Sequence, residues 1–216
     1  MEKVGAQYQD SEIIGKIISG EHALFEILIR RYNPYLYRIG RTYDYNHADT
    51  EDLMQDSYVQ AFFNLSRFES RASFKTWLTR IMLNNCYQKK HKLRYQKEVA
   101  MNVAVTENLS PLFHQPSNTE KAMANTELGN VIENALRRIP EDYRIVFTLR
   151  ELNGLSTADT VEALHISESN VKVRLNRARK MLQTEIVKMY SPEEIFDFNL
   201  RYCDGMVERV MQRIRG

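Results

Sequence analysis

The chain has 216 residues and nearly balanced charge, with 30 Lys and Arg against 28 Asp and Glu, for a formal net charge of +2 at pH 7. Gly and Pro are few and no segment alternates regularly, so an all-α protein of one or two small domains is predicted. The only two cysteines, Cys86 and Cys203, are far apart in sequence, which argues against a disulfide framework or a cysteine metal site. Neither a signal peptide nor an apolar run of membrane-spanning length is visible, so we expect a cytoplasmic protein without membrane insertion.

The first third of the chain contains an acidic segment. Between Asp44 and Asp56 there are five acidic residues and no Lys or Arg, and Leu53, Met54 and Ala61 mark the apolar side of a predicted helix. Because phosphate repels an acidic surface, we expect this helix face to bind a protein. The alternative is a solvated helix N-terminus, where acids interact favourably with the helix dipole.

The following segment has the opposite charge. From Ser70 to Lys97 there are eight Lys and Arg residues, no acid, and several aromatic and amide side chains. This composition suits single-stranded or distorted DNA, since rings stack on bases, amides contact base edges and cations follow phosphates. Trp77 lies on the apolar stripe and is expected to pack in the core rather than on a base. The candidate DNA-contacting residues are Arg71, Lys75, Arg80, Asn84, Asn85, Gln88, Lys89 and Lys90.

The predicted domain boundaries follow from residues 98–118, which show no persistent period and contain Pro111 and Pro116. Such a segment favours a flexible linker between two small helical domains, at residues 1–97 and 119–189. Residues 190–216 are predicted to form a C-terminal helical extension whose apolar stripe packs on the second domain, with docking of a partner as the alternative.

The second domain contains a predicted helix–turn–helix from Leu155 to Lys180. Ser156 and Asp159 have capping-box spacing at the first helix, and Ser167 is placed to cap the second. An apolar stripe and a cationic front on this second helix suit the DNA major groove, although a solvated basic face on an ordinary bundle helix is the alternative. The candidate DNA-contacting residues are Ser169, Asn170, Lys172, Arg174, Asn176, Arg177, Arg179 and Lys180.

Three of these segments resemble parts of sigma factors. Residues 48–56, Ala-Asp-Thr-Glu-Asp-Leu-Met-Gln-Asp, resemble the polymerase-binding helix of that family. Residues 74–81, together with Asn84, are similar to the segment that melts and reads the −10 promoter element. Leu155 to Lys180 resembles the helix–turn–helix that reads the −35 element. The length of the chain and its single linker resemble the compact extracytoplasmic-function (ECF) group.

The resemblance implies a protein that binds core RNA polymerase and promoter DNA, without catalysis, metal or cofactor of its own. It also leaves room for an anti-sigma factor as a partner. Two departures from the family pattern, His165 in the turn and Thr160 at a usually aliphatic position, are expected to loosen the first helix of the motif. By resemblance, the polymerase-binding residues are Asp49, Glu51, Asp52, Leu53, Gln55 and Asp56.

Two other classes of protein compete with this interpretation. A stand-alone helix–turn–helix regulator would share the second domain, but the sequence before Asn118 contains neither a Gly-rich phosphate loop nor an α/β pattern. A DNA-processing enzyme would need a metal site or a nucleophile. The five histidines show no ligand spacing and no nucleophile motif is recognisable, so no catalytic or metal-binding residue is predicted.

Overall fold

The computed structural model describes residues 8–100, 120–189 and 203–215, and every regular element in those ranges is helical. The prediction of an all-α protein is confirmed. The first domain contains α1 (Asp10–Ile18), α2 (Phe25–Thr42), α3 (His47–Phe63) and α4 (Phe74–Ala100). The second contains α5 (Glu120–Arg137), α6 (Glu141–Phe147), α7 (Thr157–Leu164) and α8 (Glu168–Met189), and α9 (Cys203–Arg215) follows. Most of the predicted linker lies outside the described residues.

The core of the first domain lies between α2, α3 and α4, with α3 packed against both neighbours. Leu28, Leu36 and Ile39 of α2 and Leu78 and Met82 of α4 are fully buried. On each helix these residues recur at intervals of three, four or eight, so they lie on one side of the helix. The opposite sides of α3 and α4 remain available for partners.

Gly40 allows α2 and α3 to approach each other closely. A Cβ atom built on Gly40 would lie 2.5 Å from Thr50 Cγ2 and 3.2 Å from Met82 Cε. Thr50 is fully buried and donates its hydroxyl to the carbonyl oxygen of Asn46 at 2.7 Å, while the Asn46 side chain caps α3. The acidic first turn of α3 is therefore positioned by a contact that only glycine permits.

Both helices of the helix–turn–helix are capped as predicted. The Asp159 backbone N–H donates to Ser156 Oγ at 3.0 Å, and the Asn170 N–H donates to Ser167 Oγ at 3.2 Å. His165 has φ of 53°, the left-handed conformation in which helices often end and for which glycine is preferred. Thr160 is buried, but its hydroxyl donates to the carbonyl oxygen of Ser156 at 2.8 Å. Neither departure from the family pattern interrupts α7.

The two domains pack directly against each other. Their buried apolar residues form one cluster that includes side chains from both. Helix α7 lies against α4, and a π-helical turn at Thr148–Leu152 lies against α2. Within this second contact the hydroxyls of Thr42 and Thr148, both buried, are 2.9 Å apart.

The apolar side of α9 is open to solvent. The described side chains of this helix include five large apolar residues that are 38–70% exposed: Met206, Val207, Val210, Met211 and Ile214. The prediction that the C-terminal tail packs on the second domain is therefore wrong for α9, because its apolar stripe has not been buried. Residues 190–202 lie outside the described residues. None of the described helices is long and apolar enough to cross a membrane.

We predict opposite effects on stability when alanine replaces two helical glycines. Gly40→Ala should reduce the free energy of unfolding by about 1–3 kcal/mol, because the added methyl overpacks the contact with Thr50. Gly15→Ala, in the exposed side of α1 with nothing within 4 Å, should increase it by about 0.5–1 kcal/mol. Urea unfolding of the full chain measures both, and equal shifts in the two variants would contradict the close approach.

Candidate nucleic-acid interface

The acidic surface lies on the exposed side of α3. Asp52, Gln55 and Asp56 are exposed, and Glu51 is 3.4 Å from His47 Nε2. Leu53, by contrast, is only 4% exposed and belongs to the core. Its prediction as a contact residue needs correction, because the apolar side of α3 faces α2 and α4.

Two apolar residues missed in the sequence extend this surface. Val59 is 54% exposed and Phe63 is 76% exposed. With Asp52 and Asp56 they follow a spacing of four, three and four, which places all four on one helix face. That spacing was the signal available in the sequence. Exposed apolar residues that include an aromatic ring, bordered by polar side chains, are typical of a protein-binding surface.

The exposed side of α4 carries Asn84 and Gln88, one helical turn apart. Beside them Tyr87 is 58% exposed, and its ring centroid is 4.1 Å from that of His91. Tyr87 was not among the predicted contacts, although it follows Asn84 by three residues and is aromatic. Arg71, in the loop before α4, is exposed and forms an ion pair with Glu69 at 2.6 Å.

Asn85 occupies a different environment from Asn84. It is 8% exposed and donates from Nδ2 to Ser57 Oγ at 3.0 Å, and Ser57 donates in turn to the carbonyl oxygen of Leu53 at 2.6 Å. Asn85 was predicted to contact DNA, and this prediction needs correction. Its amide satisfies a polar group between α3 and α4 and is not available at the surface.

The four cations of α4 that were predicted to contact DNA all have partners within the protein. Lys89 Nζ is 2.5 Å from Asp49 Oδ1, which joins the basic helix to the acidic one. The other three contact the second domain. Lys75 donates to the carbonyl oxygen of Asn153, Arg80 lies 3.3 Å from Glu162, and Lys90 pairs with Glu141. Burial, followed by the charge of Arg38, lowers the pKa of Lys75.

The front of α8 is a polar surface open to solvent. Its exposed members are Ser169, Asn170, Lys172, Asn176, Arg177 and Lys180. The buried side of the helix is formed by Val171, Leu175 and Ala178. Val173, which is 46% exposed, also lies on this front. It was not predicted as a contact residue because its side chain is apolar.

Two of the predicted arginines lie on the flanks of α8. Arg174 is half-buried and 3.6 Å from Asp142, and Arg179 is 2.6 Å from Glu151. Arg177 donates to the hydroxyl of Tyr143 at 3.3 Å. Lys172 pairs with Glu168 one turn earlier, and the hydrogen bond and charge of Lys172 lower the pKa of that carboxyl. The polar side chains that are most available to a partner are therefore those near the start and in the middle of the front of α8.

No group of three or more His, Cys, Asp or Glu side chains suited to a metal ion occurs in the part of the chain that the structure describes.

Comparison with protein families gives two matches. Residues 28–96 match the family described as Sigma-70 region 2, and residues 130–182 match the family described as Sigma-70, region 4. The first match covers most of α2 together with α3 and nearly all of α4. The second covers the end of α5 through most of α8.

Individual relatives agree with these matches. An ECF RNA polymerase sigma-E factor of Haemophilus influenzae is 26% identical over 183 residues, which cover 83% of this chain and 96% of that protein. The ECF RNA polymerase sigma factor SigM of Mycobacterium tuberculosis is 29% identical over 173 residues, covering 80% and 82% of the two chains.

Solved structures share the fold. The sigma factor RpoE of Bartonella quintana, solved with the anti-sigma factor NepR, matches with a TM-score of 0.61 at 23% identity, covering 75% of this chain and 96% of that one. CnrH, solved with the cytosolic domain of CnrY, matches with a TM-score of 0.58 at 24% identity, covering 81% and 95%.

The two adjacent asparagines of α4 should differ in their contribution to stability. Asn85→Ala removes the hydrogen bond that the buried Ser57 hydroxyl accepts and should reduce the free energy of unfolding by about 1–3 kcal/mol. Asn84→Ala alters an exposed side chain and should change it by no more than about 0.5 kcal/mol. Urea unfolding monitored by circular dichroism compares them, and a larger loss for Asn84→Ala would reverse the assignment.

Proposed function

The chain belongs to the ECF group of RNA polymerase sigma factors, and we propose that its three polar surfaces divide the recognition of polymerase and promoter between them. A sigma factor binds core RNA polymerase and directs transcription initiation at specific promoters. The observation that supports this division of roles is that acidic and basic residues lie on different helices. An exposed acidic face on α3 meets a cationic helix α4 at the Asp49–Lys89 pair, and a capped helix–turn–helix presents a second polar front.

The acidic face of α3 is proposed to bind core polymerase. Asp52, Gln55 and Asp56 offer charge and hydrogen bonds, and the exposed Val59 and Phe63 offer apolar area beside them. An apolar centre with a polar rim is the usual composition of a protein interface. Asp49 is assigned a smaller role, because its carboxylate is already paired with Lys89.

The exposed side of α4 is proposed to read the −10 element when the strands separate. Cations attract phosphate but cannot choose a sequence, so the choice requires groups that reach base edges. Asn84 and Gln88 are exposed amides suited to that contact, and Tyr87 offers a ring for stacking. Capture of an unstacked base costs a few kcal/mol, which stacking and contacts to the released strand offset.

The front of α8 is proposed to read the −35 element in the major groove. The N-terminal half of a recognition helix contacts base edges while its flanks contact phosphates. Ser169, Asn170, Lys172 and Asn176 are exposed in that half. Arg177 and Lys180 follow on the same front, and Arg174 and Arg179 on the flanks suit phosphate contacts.

The proposal includes no catalysis, and it places the protein in the cytoplasm with the polymerase and promoter DNA. An anti-sigma factor is a further proposed partner, by analogy with the RpoE–NepR complex of Bartonella quintana. The alternative of a stand-alone regulator is disfavoured by the match of residues 28–96 to Sigma-70 region 2, which such a regulator does not need.

The deciding experiment is run-off transcription with purified core polymerase, combined with reversal of the acidic face. The double variant Asp52→Lys, Asp56→Lys should bind core roughly tenfold more weakly, equivalent to about 1.4 kcal/mol, and lose transcription in proportion. Because exposed charges mainly affect the association rate and are screened by salt, the loss should be largest at low salt.

The matched control is Glu21→Lys, Glu26→Lys, which makes the same change of charge at exposed positions of the first domain outside α3. This control should bind core as the unmodified protein does. If both double variants bind core normally, the acids of α3 are solvated and bind no partner. Absence of promoter-specific transcripts with any of the proteins would reject the function itself.

We further predict that Asn84→Ala impairs strand opening more than initial promoter binding. A duplex promoter requires unpaired bases to be captured, whereas a pre-melted bubble supplies them, so the bubble should restore part of the lost activity. Permanganate reactivity of unpaired thymines on both templates measures opening. Equal impairment on duplex and bubble would place Asn84 in duplex contact and withdraw its role in capture.

A further inference from the structure

One apolar side chain lies in the centre of the otherwise polar front of α8. Val173 is 46% exposed, and its neighbours on this front, one helical turn before and after it, are the exposed polar residues Ser169, Asn170, Asn176 and Arg177. With about 100° of rotation per residue, Val173 lies almost opposite the buried stripe of the helix. Its isopropyl group therefore faces whatever molecule the front of α8 binds.

Neither helix stability nor packing accounts for a valine at this position. A β-branched residue has a lower helix propensity than alanine, lysine or arginine. Nearly half of the Val173 side chain is in contact with water, and the exposed side chains around it are polar, so it completes no apolar cluster. The isopropyl group gains further burial only when another molecule covers the front of α8.

A single apolar group of this kind suits DNA better than a protein partner. Protein-binding surfaces have an apolar centre made of several residues, as on α3, where Val59 and Phe63 are both exposed. Val173 is instead surrounded by amides and cations, and Lys172 and Lys180 are exposed on the same helix. Cations suit phosphates and amides suit base edges, so Val173 adds one apolar contact to a surface that is otherwise suited to DNA.

The major groove offers one apolar group to such a side chain. Thymine presents a methyl group at C5, whereas the other groups by which the base edges are distinguished are hydrogen-bond donors or acceptors. The side chain of valine has neither a donor nor an acceptor. If it covered the amino group of cytosine or adenine, or the O6 atom of guanine, that group would lose water and gain no hydrogen bond. Contact with the thymine methyl has no such cost.

We propose that Val173 selects a thymine in the −35 element by packing against its C5 methyl group in the major groove. The inference rests on the proposed function of α8, and it names the base that one position of this helix prefers. Val173 is the sixth residue of α8 and lies in the N-terminal half, the part of a recognition helix that contacts base edges. Because a valine in a helix has one strongly preferred χ1 rotamer, the contact costs little conformational entropy.

The amides beside Val173 favour the same kind of base pair. Asn170 and Asn176 lie three residues before and three residues after it, and both are exposed. An asparagine amide can donate to N7 of adenine and accept from its N6 amino group. Together the three side chains therefore favour A·T base pairs where this part of α8 meets the groove.

The test compares thymine with uracil, which differ only in the C5 methyl group. The −35 element is first selected with holoenzyme, reconstituted from the full-length chain and core RNA polymerase, out of duplexes in which that region is randomised. Competition binding then compares the selected duplex with duplexes in which one thymine at a time is replaced by deoxyuridine. Each replacement removes a methyl group from the groove and leaves the hydrogen-bonding groups of the base pair in place.

Two substitutions of Val173 alter the contact in different ways. Val173→Ala withdraws apolar surface from the groove, and Val173→Asn replaces it with an amide. Val187→Ala is the matched control, because it removes the same atoms from another valine of α8 that is 49% exposed and lies about 21 Å further along the helix. Alanine has a higher helix propensity than valine and asparagine a similar one, so each variant should fold, and circular dichroism checks this.

We expect one thymine of the element at which uracil weakens binding about fourfold, the effect of losing one buried methyl group. The unmodified holoenzyme and Val187→Ala should show this loss equally. Val173→Ala should show a loss of less than about twofold at the same base, because less apolar surface remains to cover the methyl group. With Val173→Asn, selection should replace thymine with adenine at that position and leave the other positions unchanged.

The inference would be overturned if no thymine of the selected element is sensitive to uracil. It would also be overturned if uracil causes the same loss in Val173→Ala as in the unmodified holoenzyme, or if Val173→Asn still selects thymine at that position. Failure of the proposed function is distinguishable from these results. A holoenzyme that selects no −35 element rejects the reading by α8 and the inference with it, whereas a selected element that is indifferent to Val173 rejects the inference alone.

Discussion

The position of the second domain on the first depends on one buried charge. Arg144 is nearly inaccessible to solvent, and its two Nη atoms donate to both carboxylate oxygens of Asp44 and to the carbonyl oxygen of Arg137 at 3.2 Å, while its Nε has no hydrogen-bond partner among the described residues. Asp44 reaches it from the loop between α2 and α3, where the backbone adopts a positive φ. A buried guanidinium loses its hydration and therefore depends on its hydrogen bonds within the protein. The position of Arg144 relative to Asp44 can consequently vary little. The contact of α7 with α4 follows once α6 is held there.

Charge segregation has a structural consequence as well as a functional one. A helix rich in cations suits phosphate, but in the absence of DNA those cations need other partners or water. Lys89 is paired with Asp49 inside the first domain, whereas Arg80 and Lys90 are paired with the second. The residues proposed to attract DNA therefore also hold the protein together. When the protein binds the promoter, phosphate oxygens of the DNA must replace the carboxylate oxygens that contact these cations.

Local signals in the sequence were sufficient for the helices of the second domain. A capping box depends on residues three positions apart, so Ser156 with Asp159 identified the start of α7 without knowledge of the fold. Apolar residues at helical spacing likewise identified the buried sides of α4 and α8. The amides of α4 could not be separated in this way. Asn84 and Asn85 are chemically identical neighbours, and their burial differs because α3 covers only one of them.

The sequence by itself determined the all-helical class, the helix caps, and the division into an acidic helix, a basic helix and a helix–turn–helix. These features depend on backbone preferences and on periodicity within a single element, which neighbouring residues specify. Only the tertiary structure decided that Leu53 and Asn85 are internal and that Glu162 faces Arg80. Each of these depends on which elements meet, and residues 82 positions apart along the chain carry no local signal that they will be adjacent.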